Sequence, residues 1–459
     1  MFNKCLGVKK IILISANRFC EPYPVYPLGV SYLKTFLDSH LSEEFQVSIL
    51  DCNMYSNEEL SAKLKEENPF FVGVSFRNVD GANSLEKGNF LSGYKEIVGV
   101  VQSATSAHLC IGGSGFSIFP KYFMEETGAD FGIVGEGELS LKELIEKLDR
   151  GEDFTSIEGL ILPGEEKPKL PHIKHVSSLD VHFEDDLVDY YWKYSGMINI
   201  QTKRGCPYNC VYCSYPVIDG RKLRTLDPDK IVSDIKYLRE TKNINYFFFT
   251  DSVFNIGNEF NLELAEKLVK ENLKIRWGAY FSPKNLPEEH LKLFKASGLT
   301  HIEFGTESLS DETLNAYGKL FTFSDVKQAS DLCVKHGVYY AHFLILGGYG
   351  ETEKTIQETI NNSKLLESTV YFPYIGMRIY PYTKLHQIAI NEGVITSEDD
   401  LVDPRYYIVK DFDLGKVRKM ALETGKAWVF PDDPANEMMD VFRLKKNKKG
   451  PIWEYLRKY

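Results

Sequence analysis

The stretch RGCPYNCVYC, residues 204–213, holds three cysteines, Cys206, Cys210 and Cys213, with three and then two residues between them. A structural zinc site normally has four ligands, and its thiols usually come as two separated pairs. No second pair and no histidine pair lies near this triplet. The remaining cysteines are scattered singly, as Cys5, Cys20, Cys52, Cys110 and Cys333. Zinc is therefore a poor fit to the pattern.

An iron–sulfur cluster explains why there are three thiols and not four. Three thiolates in one loop can bind three irons of a [4Fe–4S] cluster and leave the fourth iron open to a substrate. A disulfide would leave one thiol over. The sequence pattern predicts neither a signal peptide nor a regular cysteine framework, so we expect no oxidising compartment. The alternative is three unliganded thiols in a loop, which would be prone to oxidation. The triplet therefore predicts a catalytic cluster with one open iron.

Length and charge restrict the class of protein. The 459 residues, 43% of them hydrophobic, predict two to four domains with substantial cores. No apolar run approaches the roughly 20 residues that a membrane span needs, so we expect a cytoplasmic protein. The net charge of −11 disfavours nucleic acid as a partner. The dense basic run RLKKNKK, residues 443–449, is interpreted as the solvated face of a tail.

The first 150 residues alternate short apolar runs with amphipathic stretches, which predicts a parallel sheet with helices on both faces. Five such strands predict an α/β, flavodoxin-like (Rossmann-type) domain whose ligand lies beyond the carboxyl ends of the strands. Glycines collect at those ends, in GGSGF and GEGE, and would let the backbone approach a large flat ligand. An ordinary strand-to-helix turn is the alternative for each glycine pair. The predicted strands cover residues 10–16, 45–51, 70–76, 108–113 and 130–135.

A second alternating region, residues 196–390, follows a predicted linker at 151–195. Its six strands predict a partial (β/α)6 barrel, in which the chemistry lies at the carboxyl ends of the strands. The cysteine triplet follows the first of them. Residues 391–459 are then a small C-terminal extension, a candidate cover for the substrate. The six strands are placed at 197–202, 246–251, 275–280, 301–306, 339–346 and 369–380.

With the triplet on this scaffold, the second region resembles the radical S-adenosylmethionine (SAM) superfamily, whose C-x3-C-x2-C signature matches the three cysteines. Three flanking segments are similar too: FTDSVFN, EFGTES and ILGGYGET, each after a predicted strand. The resemblance implies that Tyr212 lies against adenine, although packing of the cluster loop would also explain it. Glu307 would bind the nucleoside, or else form a surface salt bridge. The full set of candidate SAM contacts is Tyr212, Asp251, Glu307, Ser308, Gly347, Gly348 and Arg378.

The resemblance also implies a reaction. In the superfamily, methionine's amino and carboxylate groups bind the open iron, and an electron from the reduced cluster cleaves SAM to a 5′-deoxyadenosyl radical that abstracts hydrogen from an unactivated carbon. The cofactors would thus be a [4Fe–4S] cluster and SAM. An electron donor such as flavodoxin or ferredoxin would be a partner.

Residues 1–150 resemble the cobalamin-binding branch of the same superfamily. An early PLG before a helix, a Gly-Gly after the fourth strand and GIVGEGE at the fifth strand carry this resemblance. It implies cobalamin as a third cofactor. The candidate cobalamin contacts are Pro27, Leu28, Gly29, Ser75, Arg77, Asn78, Asp80, Gly112, Gly113, Gly135 and Glu136. For Arg77 and Asp80 the alternative is a local ion pair.

One feature departs from many cobalamin proteins. They bind cobalt through the histidine of a D-x-H-x-x-G loop after the first strand, whereas the loop here is ANRFCEPYP. A near match, DSHLSE, lacks the glycine, so His40 is predicted to be a solvent-facing helix residue. We therefore expect cobalamin without a histidine ligand from the protein.

Three function classes remain open at this point. The leading hypothesis is a cobalamin-dependent methyltransferase acting on an unactivated carbon of a small-molecule or carrier-bound acyl or lipid substrate. The second is a radical SAM enzyme that rearranges, cyclises or desaturates its substrate without using cobalamin as a methyl carrier. The third is a non-catalytic sensor of cobalamin and a cluster, disfavoured by a complete barrel. A tRNA methylthiotransferase would need a set of N-terminal cysteines for a second cluster and a basic C-terminal RNA-binding barrel, and neither is evident in the sequence.

Overall fold

The computed structural model describes residues 8–85, 88–165, 172–173, 176–434 and 448–458. The chain forms two compact units. Unit 1 comprises Met1–Cys20, Tyr26–Gly81 and Asn89–Tyr190. Unit 2 comprises Glu21–Val25, Ala82–Gly88 and Tyr191–Tyr459. Among the described residues, no helix combines the length and the apolar character needed to cross a bilayer.

Unit 1 contains one sheet, which within the described residues has six strands in the order β2-β1-β3-β4-β5-β6. The first five pair in parallel, and β6 pairs antiparallel with β5. This order and the strand directions confirm the flavodoxin-like expectation. The strands are β1 (Lys9–Ser15), β2 (Phe45–Asp51), β3 (Phe71–Ser75), β4 (His108–Gly112), β5 (Phe131–Ile133) and β6 (Leu160–Ile161).

The helices of unit 1 cover the sheet because each has an apolar face. On α2, Leu60 and Leu64 are buried, and a capping box between Ser56 and Glu59 begins the helix. His40 ends α1, is exposed, and bonds through Nδ1 to the Phe36 carbonyl at 2.8 Å. The helices are α1 (Leu28–His40), α2 (Asn57–Glu67), α3 (Leu91–Ala104), α4 (Ser114–Ile118), α5 (Pro120–Thr127) and α6 (Glu138–Arg150), with a 3-10 turn at Val176–Ser178.

The segment expected as a linker is partly structured. It contributes β6 to the first sheet, and its residues up to Tyr190 cluster with unit 1. Helix α7 (Asp185–Tyr194) follows. A two-residue antiparallel edge strand has too few residues to show a period, which is why the sequence did not predict β6. Part of the expected linker, residues 166–171 and 174–175, lies outside the described residues, as do residues 443–447 of the basic run.

Unit 2 is built on a parallel sheet with the order β17-β14-β13-β12-β11-β10-β7, seven strands within the described residues. Each neighbour pair is parallel, which confirms a partial barrel. Two small antiparallel pairs, β8 with β9 and β15 with β16, flank it. The strands are β7 (Ile198–Ile200), β8 (Lys203–Arg204), β9 (Arg224–Thr225), β10 (Tyr246–Phe249), β11 (Arg276–Phe281), β12 (Leu299–Glu307), β13 (Tyr339–Leu346), β14 (Val370–Ile375), β15 (Met377–Arg378), β16 (Tyr406–Tyr407) and β17 (Ala427–Trp428).

The predicted sixth barrel strand, 369–380, is interrupted at Gly376. This residue has φ +71°, and a Cβ there would lie 2.6 Å from Ile408. Its N–H donates to the Leu346 carbonyl at 2.7 Å. A left-handed turn between β14 and β15 therefore replaces one continuous strand, because only glycine adopts this geometry without strain.

The helices of unit 2 lie between the barrel strands, and several of them begin at a side-chain cap. Capping boxes at Thr322 and Thr352 start α13 and α14. The helices are α8 (Tyr215–Ile218), α9 (Pro228–Thr241), α10 (Asn258–Glu271), α11 (Glu288–Ala296), α12 (Asp311–Ala316), α13 (Phe323–His336), α14 (Glu353–Ser363), α15 (Lys384–Asn391) and α16 (Leu414–Glu423), with a 3-10 helix at Ile452–Lys458. The domain boundaries at 150, 195 and 390 stay predictions.

Gly278 offers a direct test of the packing inside the barrel. A Cβ on Gly278 would lie 1.8 Å from Cε1 of the buried His301 ring. We expect Gly278→Ala to destabilise the protein by about 1–3 kcal/mol, because the ring has to move within a filled core. Gly99→Ala on α3 is the control, since a Cβ there meets nothing within 4 Å. Thermal unfolding followed by circular dichroism measures both. Equal stabilities would contradict the packing described here.

Candidate active site

The cysteine loop follows β7 and β8 at the carboxyl end of the barrel sheet, as predicted. The Cys206 N–H donates to the Gly220 carbonyl at 3.0 Å, and the Val211 N–H donates to the Tyr317 carbonyl at 3.1 Å. Gly205 has φ +89°, and a Cβ there would lie 2.2 Å from the Lys222 carbonyl oxygen. The loop is therefore held at both ends by backbone contacts.

A buried ion pair fixes the chain immediately before this loop. Lys203 Nζ lies 3.0 Å from Asp251 Oδ2, and the side chains are 1% and 0% exposed. The ammonium also donates to the Phe254 carbonyl at 2.8 Å and to Asn261 Oδ1 at 2.9 Å. The backbone N–H groups of Thr202 and Lys203 donate to Asp251 Oδ1 at 2.8 and 3.1 Å. Asp251 thus positions the start of the loop, while its predicted contact with SAM stays a prediction.

The three thiols fit a cluster. Cys206 is buried, Cys210 and Cys213 are partly buried, and all three are free. Burial, and then the charge of Cys210, raises the pKa of Cys213 to about 12. Burial also raises the pKa of Cys210, against the opposing effect of Lys319. Thiols this hard to ionise lose their protons when they bind iron, so bound iron compensates for the burial of the thiolates.

Within the described ranges, no three His, Cys, Asp or Glu side chains converge as they would on a single metal ion. A [4Fe–4S] cluster does not require such convergence, because each thiolate binds a different iron. The loop geometry is therefore compatible with a cluster.

Beside the thiols lies a polar group that the sequence revealed only in part. Tyr212 Oη donates to Glu307 Oε1 at 2.7 Å, and Lys319 Nζ donates to Tyr212 Oη and Glu307 Oε1 at 3.1 and 3.2 Å. Burial alone would lower the pKa of Lys319, but the charges of Glu307 and Cys210 raise it. The ammonium therefore stays charged near the cluster ligands. Tyr212 and Glu307 were predicted; Lys319 was missed, because a lone lysine after a helix carries no sequence signal.

The other candidate SAM contacts have partners within unit 2. Ser308 is buried and bonds to Thr359 Oγ1 at 3.1 Å. Gly347 and Gly348 donate their N–H groups to the Glu351 carboxylate. The Arg378 guanidinium donates to the carbonyls of Ile379 and Leu401 at 2.6 and 2.7 Å. Their proposed contacts with SAM stay predictions.

The candidate cobalamin residues are gathered at one edge of unit 1. Ser75 ends β3, Gly112 ends β4, and Gly135 follows β5, so all three lie at the carboxyl ends of parallel strands. Gly113 has φ +99°, and a Cβ there would lie 2.5 Å from the Phe76 carbonyl oxygen. The glycine pair thus lets the turn after β4 pack directly against the end of β3.

Several contacts fix the loops at this edge. Ser114 Oγ donates to the Arg77 carbonyl at 2.7 Å, and Tyr94 Oη donates to the Asn78 carbonyl at 2.7 Å. The Ile173 N–H donates to Glu136, and Asp80 is buried in an antiparallel bridge with Asn89. Pro27, Leu28 and Gly29 begin α1, and a Cβ on Gly29 meets nothing within 4 Å.

Asn17, just after β1, was not predicted. Its Oδ1 is buried and has no hydrogen-bond partner in the part of the chain that the structure describes. A buried acceptor of this kind normally has a partner. The amide groups around cobalamin would supply a donor, so this edge of unit 1 fits the cofactor. Of the described histidines in 8–165, His40 ends α1 and His108 begins β4, so neither follows a strand at this edge.

Comparisons with known proteins identify two domains in this chain. A family model described as the radical SAM superfamily matches residues 200–362, and one described as a B12 binding domain matches residues 15–145. The chain therefore contains a radical SAM domain and a B12-binding domain. These domains imply a [4Fe–4S] cluster, SAM and cobalamin as cofactors.

Three proteins are similar to this chain over much of its length. The tryptophan 2-C-methyltransferase of Streptomyces laurentii is 24% identical over 82% of this chain and 73% of its own length. The anaerobic magnesium-protoporphyrin IX monomethyl ester cyclase of Cereibacter sphaeroides is 25% identical over 79% and 60%. The solved radical SAM methyltransferase TsrM of Kitasatospora setae, with cobalamin and a [4Fe–4S] cluster bound, superposes with a TM-score of 0.76 at 25% identity, covering 85% of this chain and 76% of that one.

We expect Cys210→Ala to abolish the cluster, because the loop contains no fourth cysteine that could replace Cys210 beside Cys206 and Cys213. Iron content and visible absorbance after anaerobic reconstitution measure the loss, and 5′-deoxyadenosine formation should disappear with it. Cys333→Ala is the control, since Cys333 is buried in α13. A full cluster in Cys210→Ala would disprove the assignment.

The charge of Lys319 should make the cluster easier to reduce. Lys319→Met removes that charge, so we expect the reduction potential to become more negative by on the order of tens of millivolts. Lys319→Arg keeps the charge and serves as the matched control. Redox titration monitored by electron paramagnetic resonance makes the measurement. A potential that is unchanged in Lys319→Met would show that Lys319 has no electrostatic effect on the cluster.

Proposed function

We propose that this chain is a cobalamin-dependent radical SAM methyltransferase that methylates an unactivated carbon of a small-molecule or lipid or acyl substrate. The observation that carries the proposal is the presence of a B12-binding domain and a radical SAM domain in one chain. Cobalamin can carry a methyl group, whereas the cluster with SAM generates a radical. Similarity to methyltransferases over 82% and 85% of the chain supports the same reaction.

The residues of this chain would bind and orient these groups. Cys206, Cys210 and Cys213 would hold the cluster, and the Lys203–Asp251 pair would keep their loop in place. Tyr212, Glu307 and Lys319 would form one wall of the SAM site, where Lys319 keeps a positive charge beside the thiolates. Asn17 and the glycines at the edge of unit 1 would meet cobalamin, without a histidine on cobalt. A small reducing protein such as flavodoxin or ferredoxin would supply the electron.

A second candidate function follows from one relative. The anaerobic magnesium-protoporphyrin IX monomethyl ester cyclase of Cereibacter sphaeroides is similar over 79% of this chain, and its name describes a cyclase. A cyclising or rearranging enzyme with the same two domains would use SAM as a radical source without transferring its methyl group. The two candidates differ in their products.

Product stoichiometry separates the two candidates. Methyl transfer with radical activation consumes two SAM molecules, so we expect S-adenosylhomocysteine and 5′-deoxyadenosine in about equal amounts per product. The assay uses anaerobically reconstituted enzyme, methyl-deuterated SAM and small-molecule or acyl substrates, with chromatography of both nucleosides and mass spectrometry of the product. Cys210→Ala is the control and should form neither 5′-deoxyadenosine nor product.

Substrate turnover without label in the product, and with little S-adenosylhomocysteine, would contradict methyl transfer. That result would favour the cyclising or rearranging class.

A further inference from the structure

The two faces of β12 have different surroundings. Phe304 stacks on His342, which bonds to Ser330 of α13 at 3.2 Å, so this face of the strand packs against the helices. Side chains alternate along a strand. His301, Glu303 and Gly305 therefore face the inner side of the curved sheet. Glu303 thus lies inside the barrel, below the level of Glu307 and the cysteine loop.

Glu303 is a buried carboxyl group without a cation. The residue is 3% exposed, and its Oε1 accepts a hydrogen bond from the Trp453 indole N–H at 3.1 Å. Among the residues that the structure describes, no lysine or arginine pairs with it. The nearby His301 is neutral, because burial lowers its pKa to about 3. Burial, and then the charge of Glu454, raises the pKa of Glu303 to about 7.

A carboxyl group in this setting would gain from a positively charged ligand. Removing a carboxylate from water is costly unless a cation or hydrogen-bond donors compensate. The Trp453 N–H compensates one oxygen, while Oε2 has no hydrogen-bond partner in the described ranges. A cation beside Glu303 would be stabilised by an ion pair that the described residues do not supply.

Several tyrosine side chains lie near Glu303 on the inner side of the barrel. Tyr280, on the inner face of β11, is 39% exposed, yet burial and the charge of Glu303 raise its pKa well above the usual value. Tyr280 pairs with Glu303 in the register of β11 and β12, so the two side chains lie on the same face of the sheet. Tyr23, Tyr215 and Tyr374 lie close enough to Tyr280 to raise its pKa further. Tyr215 and Tyr374 are themselves 44% and 36% exposed.

We propose that Glu303, Tyr215, Tyr280 and Tyr374 form a binding site for a cationic amine. Aromatic faces attract ammonium groups, and a carboxylate at the base of such a group of rings adds a direct ion pair. A ligand carboxylate or phosphate would instead be repelled by Glu303. That the amine belongs to the substrate rests on the proposed function, since the site lies inside the radical SAM barrel.

The test uses the full-length, anaerobically reconstituted protein and three probes that share a phenethyl body. Phenethylamine is cationic, 2-phenylethanol is a neutral hydrogen-bond donor, and 3-phenylpropionate is anionic. Isothermal titration calorimetry gives each affinity. We expect phenethylamine to bind at least about tenfold more tightly than 2-phenylethanol, and 3-phenylpropionate more weakly than both.

Variants locate the site. Glu303→Gln keeps an acceptor for Trp453 but removes the charge, so phenethylamine should lose about tenfold in affinity while 2-phenylethanol changes little. Tyr280→Ala should weaken phenethylamine binding several-fold, whereas Tyr280→Phe retains the ring face and should bind nearly as the parent does. Glu289→Gln, a change on α11, is the matched control and should have no effect.

Three results would overturn the proposal: equal affinity for the amine and the alcohol in the parent protein, no measurable binding of any probe at millimolar concentration, or unchanged amine binding in Glu303→Gln. If Glu303→Gln does not fold, the order of the three probes on the parent protein and the two Tyr280 variants decide. These affinities need no turnover, so their failure leaves the product stoichiometry untouched. Conversely, absence of methyl transfer would not alter the binding results.

Discussion

The catalytic loop depends on one buried ion pair, Lys203 with Asp251. A lysine this deeply buried is costly, and burial lowers its pKa, so the carboxylate opposite it is required. Asp251 comes from the end of β10 and holds the backbone that follows β7, which joins two neighbouring strands directly before the cysteines. Removal of either partner would leave an unpaired charge in the core. The orientation of the first cysteine is thereby fixed from within the sheet.

The cysteine loop on its own does not stabilise the ionised form of its thiols. Burial keeps Cys210 and Cys213 protonated at neutral pH, while Lys319 acts in the opposite direction on both. A group that binds thiolates and brings its own positive iron charge would reverse this balance. The same lysine contacts Tyr212 and Glu307, so one cation lies beside both the cysteine loop and the proposed wall of the SAM site. Lys319 therefore both positions Tyr212 and Glu307 and places a positive charge near the cysteines.

The inner face of the barrel contains buried polar side chains that contact the C-terminal end of the described chain. His301 and Glu303 are neighbours on one strand face, and the C-terminal 3-10 helix covers them with Trp453 and Glu454. Tyr246 Oη bonds to His301 Nδ1 at 2.8 Å and to Glu454 Oε1 at 2.9 Å. The last described residues of the chain thus form the floor of the barrel. The C-terminal extension was expected to cover the substrate. The 3-10 helix that carries Trp453 and Glu454 instead lies at the bottom of the barrel.

The sequence by itself determined the two α/β units, the position of nearly every central strand, the cysteine triplet and the glycine-rich sheet edge. These features are local, because hydrophobic periodicity and residue spacing are written along the chain. Tertiary structure decided what depends on distant residues: Lys319 beside Tyr212, Asp251 beneath the loop, Asn17 without a partner and Trp453 on Glu303. It also decided the short edge strands and the break at Gly376, which carry no period. The residues in these contacts are separated by 48 to 150 positions and meet only when the strands assemble, so their pairing cannot be deduced from a linear pattern.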